Sequence, residues 1–341
     1  MKLRTMVQMM GGAAAPAYLA AMRLMTPVHR VAWLAAASKH GVLELLRAGP
    51  RELGEIAEAL DAPPESIEAL RTWMRHGVLL DELHDDGHRY RLHGRLARHM
   101  ADPAHPELAA LAESLISVHV AGIYGALDHL RDGRPFASLD APVVARVSEM
   151  TAPVMREVID AHVPKHGPAR LLELGCGSGR HLRYACERNP ELEALGIELD
   201  PAIVTSTRRA LGKAALADRA RVRQGDLRTL ELDERFDVVT MFNLVYYFPV
   251  AERGAVIAKA ASWVKDGGAL LIVTACRGGT LANNMMDLWF SGIREAGPLP
   301  EPEALVQQLR DAGLEPEAPA RMLPGEAYYA LVARRQSSQP T

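Results

Sequence analysis

The chain has 341 residues, enough for about two domains of ordinary size. Its formal net charge of −3 excludes an overall positive field of the kind that recruits nucleic acid or anionic lipid. The three cysteines are odd in number and no two have CxxC spacing, which argues against a disulfide framework or a structural zinc site. We therefore expect reduced thiols, a cytoplasmic location and no bound metal.

The first 18 residues lack the continuous apolar stretch of a signal peptide. No stretch of the sequence reaches the roughly 18 uncharged apolar residues that cross a bilayer, so we predict that the protein has no membrane partner. The polar residues 336–341 are predicted to form a flexible tail.

The chain has two halves with different hydrophobic patterns. Up to about residue 163 the apolar residues recur at helical spacing, whereas later residues alternate short apolar runs with helical segments, as is typical of a parallel α/β sheet. We predict an N-terminal domain over 1–105, a helical linker over 106–163 and an α/β domain over 164–335.

Within the N-terminal half, the apolar spacing predicts a helix over Val28–Arg47, followed by two short helices and a hairpin. The short helices are predicted over Glu52–Leu60 and Glu65–His76, and the hairpin strands over Val78–Glu82 and His88–Leu92. Two short helices followed by a hairpin indicate a winged helix.

The charge of this predicted winged helix argues against DNA binding. Residues 51–100 contain seven arginines, no lysine and ten acidic residues, whereas a helix that reads a groove concentrates positive charge near the phosphates. We therefore predict no nucleic-acid partner and interpret the module as a dimerisation or packing module. Helices predicted over 107–132 and 142–162 would connect it to the α/β half and form a roof over a pocket.

A glycine-rich loop carries the strongest functional signal. The apolar strand predicted from Ala169 runs into Gly175-x-Gly177-x-Gly179, and a helix is predicted to follow. Glycines let the backbone turn tightly and leave room for a ligand, while a helix N-terminus favours an electron-rich group. The dinucleotide fingerprint is Gly-x-Gly-x-x-Gly, and here an acidic residue, Glu173, precedes the loop. This combination favours a ligand that bears a cation and no phosphate.

Three later strand ends add polar residues at the spacing expected of a nucleoside site. Glu198 ends the second strand about 20 residues after the loop, where a carboxylate accepts hydrogen bonds from ribose hydroxyls, and Leu199 follows it. Asp226 follows the third strand and can accept from an adenine amino group, while Leu227 would pack on the ring. Asn243 ends the fourth strand.

In this order, the segments over residues 169–275 resemble the motifs of the class I S-adenosylmethionine (SAM)-dependent methyltransferases. The resemblance implies SAM as the cofactor and methyl transfer as the reaction. It implies that the glycine loop passes the methionine part of SAM, with Glu173 near the ammonium and Asn243 near the sulfonium. The predicted fold class is therefore α/β: a Rossmann-like SAM-dependent methyltransferase domain preceded by a mostly helical, winged-helix-containing domain.

The N-terminal layout extends the resemblance to the small-molecule O-methyltransferases of plant phenolic and bacterial antibiotic pathways, and the run from Tyr124 to Phe136 is similar to a helix end in that family. There the N-terminal module builds an intertwined homodimer, so the resemblance implies a homodimer and a small-molecule substrate from secondary metabolism. Two alternatives stay open: a SAM-using enzyme of this fold that transfers no methyl group, and a SAM-sensing winged-helix regulator.

The family pattern breaks at the catalytic histidine that follows the fourth strand. That position falls on Tyr246, and all 13 histidines lie at or before His181. Three readings remain open. In the first, the acceptor is nucleophilic without a base, as is true of an amine, a carboxylate, an enolate-like carbon or an acidic hydroxyl. In the second, a histidine of the helical roof, such as His119, reaches into the active site. In the third, Tyr246 or Tyr247 binds the substrate or acts as an unusual base. We predict that the two tyrosines are the catalytic residues.

The predicted acceptor site combines the helical roof with a helix after the fifth strand. That helix, over 281–290, lines the acceptor pocket in the family, and packing between helices is the alternative role of its residues. The predicted substrate-binding residues are His119, Tyr124, Met150, Asn283, Met286, Trp289 and Phe290.

Overall fold

The structure of the protein is a computed structural model that describes residues 15–131, 133 and 147–337. These residues form two compact units, and the predicted helical linker 106–163 is divided between them. The N-terminal unit contains residues 15–121 and 147–150, and the C-terminal unit contains residues 122–131, 133 and 151–337.

Some predicted features lie outside the described residues. They include Phe136 at the end of the run that resembles the O-methyltransferases, the start of the helix predicted from residue 142, and residues 338–341 of the predicted tail.

The N-terminal unit is mostly helical. Its helices are α1 (Ala15–Lys39), α2 (Val42–Arg47), α3 (Leu53–Ala59), α4 (Ile67–Leu79), α5 (Arg95–Met100) and α6 (Pro106–Ser114), and the helical run continues as a π-helix (Leu115–Val120). The run ends with α7 (Ala121–Tyr124), whose last three residues belong to the C-terminal unit. Three short strands form an antiparallel sheet in the order β1 (Arg51–Glu52), β3 (Arg89–Leu92), β2 (Leu83–Asp85). The helix predicted over Val28–Arg47 is interrupted at Gly41, whose φ of +75° lies in the left-handed region that favours glycine.

The first predicted hairpin strand, Val78–Glu82, is wrong. Helix α4 continues to Leu79, and the chain then reverses at Asp81, whose φ is +62°, before β2 begins. The N–H of Glu82 donates to the carbonyl of Gly77 at 3.0 Å, which closes the helix end. A short apolar run fits a buried helix end as well as a strand, so hydrophobic spacing alone does not distinguish them.

The helical run over 106–124 bears on the predicted absence of a membrane partner. Among the described residues it is the one helix whose length and composition would allow it to cross a membrane, and 22% of its most apolar window is buried. The absence of a membrane partner therefore stays a prediction.

The C-terminal unit is built on an eight-stranded mixed sheet with the strand order β10-β11-β8-β7-β4-β5-β6, and β9 pairs with β11. The strands are β4 (Ala169–Leu174), β5 (Leu192–Glu198), β6 (Ala220–Gln224), β7 (Phe236–Phe242), β8 (Val264–Ala275), β9 (Glu315–Pro316), β10 (Ala320–Arg321) and β11 (Tyr328–Arg334). Strands β4 to β8 are parallel, and the remaining pairings, β11 with β8, β9 and β10, are antiparallel. The described helices are α8 (Ala152–His162), α9 (Arg180–Arg188), α10 (Pro201–Lys213), α11 (Val250–Ser262), α12 (Leu281–Ser291) and α13 (Pro302–Asp311).

The central strands β4 and β7 position the candidate site. Both are mostly apolar and have buried residues on both faces, such as Leu172 and Met241, as expected where helices cover a parallel sheet on both sides. The chain passes from β4 outward through β5 and β6 and returns on the other side of β4 as β7. Such a reversal opens a crevice at the carboxyl ends of the two central strands, where open α/β sheets bind ligands. The predicted Rossmann-like fold class is confirmed.

Candidate functional site

The glycine loop, residues 175–179, leaves the carboxyl end of β4 and leads into α9. Gly175, Gly177 and Gly179 have φ angles of +68°, +51° and +70°. A Cβ at Gly179 would lie 2.5 Å from Cγ2 of Thr207, whereas a Cβ at Gly177 would meet no atom within 4 Å. A Cβ at Gly175 would lie 2.7 Å from Cδ1 of Leu244. The loop is therefore packed tightly at both ends and has open space at its middle glycine, where a ligand can approach the backbone.

Glu173, the fifth residue of β4, is a buried carboxylate with only one of its two oxygens hydrogen-bonded. Its side chain is 2% exposed, and Oε1 accepts a hydrogen bond from Nδ1 of His181 at 2.8 Å. The second oxygen, Oε2, is buried without a hydrogen-bond partner. A buried, unpaired carboxylate oxygen is costly, and a cationic donor would remove that cost. This unpaired atom fits the ammonium that sequence analysis assigns to Glu173.

Glu198 ties the end of β5 to the glycine loop. Its Oε2 accepts from the N–H of Gly177 at 2.9 Å, and its Oε1 accepts from the N–H groups of Leu199 at 2.8 Å and Asp200 at 3.1 Å. The carboxylate thus stands beside the open middle of the loop. Its half-buried position leaves it accessible to ribose hydroxyls, while Leu199 is 55% exposed.

Asp226 lies beyond the end of β6 with a partner that sequence analysis missed. Arg228 donates to its carboxylate from Nη2 at 2.7 Å and from Nε at 3.0 Å, and this contact lowers the pKa of Asp226 below its ordinary value. An adenine amino group would therefore share the carboxylate with Arg228. Leu227 is 7% exposed and packs in the core of the sheet, so its predicted contact with adenine stays a prediction.

Asn243 follows β7 directly, in a conformation that few residues other than glycine adopt. Its φ is +50°, and its N–H donates to the carbonyl of Val273 at 2.8 Å. Its Oδ1 accepts from the hydroxyl of Tyr328 at 2.8 Å, and its Nδ2 lies 3.4 Å from Oγ1 of Thr151. These contacts hold the amide at the central crevice.

The two tyrosines that follow Asn243 belong to an aromatic cluster with α12. The ring centroid of Tyr246 lies 4.8 Å from that of Tyr247 and 4.7 Å from that of Phe290. Trp289 meets Phe290 edge to face at 5.0 Å, within the range of favourable aromatic pairs. The structure therefore brings together the two predicted catalytic residues and two of the predicted substrate-binding residues.

Burial determines what the two hydroxyls can do chemically. It raises the pKa of Tyr246 well above the ordinary tyrosine value, and it raises the pKa of Tyr247 to about 12, with the charge of Glu198 acting in the same direction. Both phenols are therefore protonated at neutral pH and share a hydrogen bond. They are suited to donate hydrogen bonds and poorly suited to act as a general base.

Residues 171–268 match a family model described as a methyltransferase domain. The match begins in β4 and ends in β8, so it includes the glycine loop and the polar residues at the ends of β5, β6 and β7. The chain contains a class I SAM-dependent methyltransferase domain.

Two curated relatives are also methyltransferases. The chain is 27% identical over 239 residues to demethylspheroidene O-methyltransferase of Rhodobacter capsulatus, covering 68% of this chain and 56% of the relative. It is 26% identical over 191 residues to L-tyrosine C(3)-methyltransferase of Streptomyces lavendulae, covering 54% and 51%. The chain thus spans about half the length of the curated relatives that it matches.

Among solved structures, human N-acetylserotonin methyltransferase in complex with SAM has the same fold. The TM-score is 0.70 at 18% identity, and the superposition covers 96% of this chain and 99% of the human chain. The likeness therefore extends beyond the methyltransferase domain to the helical N-terminal region.

The remaining predicted substrate-binding residues have varied surroundings. The side-chain nitrogen Nδ2 of Asn283 donates to the carbonyls of Cys276 and Gly278, so it holds the turn before α12, and the predicted contact of Asn283 with substrate stays a prediction. Met286 is half-buried in the same helix. The three roof residues are His119 and Met150 of the N-terminal unit, the latter 45% exposed, and Tyr124, which is 88% exposed; their contacts with substrate stay predictions.

Proposed function

We propose that the protein is a SAM-dependent methyltransferase that acts on a small-molecule acceptor, of the kind found in secondary metabolism. One observation carries the proposal: a buried carboxylate with an unpaired oxygen and a second carboxylate flank an open glycine loop at the central crevice. These hydrogen-bond acceptors suit a ligand with a cationic amino-acid end and a ribose. SAM, when bound, supplies a methyl group on a positively charged sulfur.

The residues divide the binding task by chemical type. Oε2 of Glu173 accepts from the ammonium, the backbone around Gly177 lies along the methionine part, and Glu198 accepts from the ribose hydroxyls. Asp226 accepts from the adenine, and Asn243 stands near the sulfonium. This arrangement lowers the barrier mainly by alignment and by exclusion of water.

For the acceptor, we propose an atom that is nucleophilic without a protein base. Support comes from the protonated state of Tyr246 and Tyr247, which leaves the position of the family histidine without a base. An amine, an activated aromatic carbon or an acidic hydroxyl meets this requirement. The names of the two relatives, an O-methyltransferase and a C-methyltransferase, are consistent with oxygen or carbon.

We also propose a cytoplasmic homodimer formed through the N-terminal unit, with no nucleic-acid or membrane partner. Several apolar residues at the start of α1 are exposed: Tyr18 57%, Met22 60%, Leu24 67% and Met25 52%. Large exposed apolar residues grouped along one helix are typical of an interaction surface. The interpretation of this unit as a winged-helix dimerisation module belongs to the same proposal.

Product analysis tests the proposed reaction. Purified protein is incubated with SAM and a panel of aromatic amines, phenols and hydroxy-acids, and the nucleoside product is separated by chromatography. We expect S-adenosylhomocysteine together with an acceptor that has gained one methyl group. Methylthioadenosine as the nucleoside product would show a different SAM chemistry instead. Light scattering on the same sample should give about twice the chain mass of 37.2 kDa.

Replacing Tyr247 with phenylalanine should lower turnover about 10-fold, because loss of one hydrogen bond in the transition state costs roughly 1.4 kcal/mol. Tyr247 is the less buried of the pair, so its hydroxyl is the better placed to meet the acceptor. Tyr246→Phe should have a smaller effect, because that hydroxyl acts through Tyr247. Steady-state kinetics with a fixed acceptor measures both, and SAM affinity should be retained.

The matched control is Tyr329→Phe. The hydroxyl of Tyr329 accepts from Arg321 at 2.8 Å, away from the aromatic cluster. If all three variants turn over at the wild-type rate, neither Tyr246 nor Tyr247 contributes its hydroxyl to the reaction.

A further inference from the structure

A buried carboxylate–imidazole pair joins β4 to α9 across the glycine loop. Glu173 lies near the end of β4, and His181 is the second residue of α9. Nδ1 of His181 donates to Oε1 of Glu173 at 2.8 Å, and the two side chains are 20% and 2% exposed. The imidazole also meets the ring of Phe242, the last residue of β7, edge to face at 5.3 Å. The pair therefore lies between the ends of the two central strands.

This hydrogen bond determines which oxygen of the Glu173 carboxylate has no partner. An ionised carboxylate only accepts, so the proton between the two groups belongs to Nδ1 of His181. The bond occupies Oε1 and resists rotation of the carboxylate, while Oε2 is buried without a partner. A carboxylate with one oxygen held and the other unsatisfied is arranged to receive one more donor, and its negative charge favours a cation.

We infer that His181 is a positioning residue for the amino-acid end of the cofactor: it holds Oε1 of Glu173 so that Oε2 accepts from the α-ammonium. The inference rests on the proposed function, since it assumes a SAM-type ligand. It adds a residue outside the glycine loop and explains why an imidazole stands in the first turn of α9. His181 itself touches neither the methyl group nor the acceptor in this role.

Two ligands separate this role from a general structural one. S-adenosylhomocysteine has the α-ammonium, and 5′-methylthioadenosine has the same adenosine and thioether sulfur without the amino-acid end. His181→Leu removes the Nδ1 donor and keeps an apolar side chain of similar size. We expect this variant to bind S-adenosylhomocysteine about 10- to 100-fold more weakly, which is the range for loss of a hydrogen bond to a charged group. Its affinity for methylthioadenosine should stay within about twofold, because that ligand makes no contact with Glu173.

A conservative variant and a surface control complete the series. In His181→Asn the side-chain amide nitrogen takes the place of Nδ1, so this variant should recover most of the affinity for S-adenosylhomocysteine. His166→Leu makes the same chemical change at an exposed position before β4 and should leave both affinities unchanged. Isothermal titration calorimetry measures all four proteins with both ligands.

The outcomes distinguish failure of this inference from failure of the proposed function. If the wild-type protein binds neither ligand, the proposed function itself falls. If the wild type binds both and His181→Leu lowers both affinities equally, or neither, His181 does not position the ammonium. If His181→Leu does not fold, ¹⁵N spectra of the wild type decide: S-adenosylhomocysteine should shift the His181 ring signals and methylthioadenosine should not. Equal shifts with the two ligands overturn the inference.

Discussion

Glu198→Ala should weaken SAM binding by at least about 100-fold. The carboxylate is proposed to accept from two ribose hydroxyls, and each hydrogen bond to a charged group is worth about 1.5–3 kcal/mol. The substitution also releases the N–H of Gly177, which Oε2 of Glu198 holds at 2.9 Å, so the middle of the glycine loop loses its anchor to β5. Both effects act in the same direction.

Calorimetric titration with S-adenosylhomocysteine measures this loss without turnover. Glu193→Ala is the matched control, because Glu193 is an exposed acid on the same strand. The affinity of the Glu193→Ala variant for S-adenosylhomocysteine should equal that of the wild type. An unchanged affinity in Glu198→Ala would refute the assignment of the ribose to this residue. A thermal scan of both variants confirms that the comparison is made between folded proteins.

Gly179→Ala should lower the free energy of unfolding by about 2–5 kcal/mol. The φ of +70° carries a cost of roughly 1–2 kcal/mol for alanine, and overpacking adds about 1–3 kcal/mol. The clash is with Cγ2 of Thr207, which is β-branched, 1% exposed and tied through Oγ1 to the carbonyl of Gly177 at 2.8 Å. Thr207 cannot rotate away without breaking that bond.

Two further variants separate the causes by chemical denaturation. Gly177→Ala has a positive φ and open space, so it should lose only the backbone part of the stability. Thr207→Ser removes Cγ2 and keeps the hydroxyl, so in combination with Gly179→Ala it should recover the overpacking part. Equal losses in Gly177→Ala and Gly179→Ala would contradict the packing argument. Gly177→Ala should nevertheless weaken SAM binding, since its methyl group would occupy the open middle of the loop.

The sequence predicted the architecture of the C-terminal unit well, because that information is local. Strand β4 is a short, mostly apolar run that leads into glycines, and β5 and β7 are mostly apolar runs that lead to Glu198 and Asn243. Any buried parallel sheet imposes this pattern on its strands, and the glycines of the loop have the left-handed φ angles that only glycine adopts readily. The confirmed fold class and the methyltransferase domain follow from these features.

Local patterns failed where two structures fit the same residues. The run Val78–Glu82 reads as a strand, yet α4 continues to Leu79, with Val78 and Leu80 packed against the core of the N-terminal unit and Leu79 81% exposed. Tertiary packing selected one of two locally acceptable outcomes.

By itself, the sequence determined the order of strands and helices in the C-terminal unit, the glycine loop and the acidic residues at the strand ends, because each depends on neighbours within a few positions along the chain. Only the tertiary structure decided which partners these groups have. Tyr328 reaches Asn243 from 85 residues away on an antiparallel strand, and His181 takes one oxygen of Glu173 and leaves the other unpaired. Burial keeps Tyr247 protonated, and a tertiary contact orients the Glu173 carboxylate. The spacing of residues along the chain predicts neither burial nor contacts between distant residues.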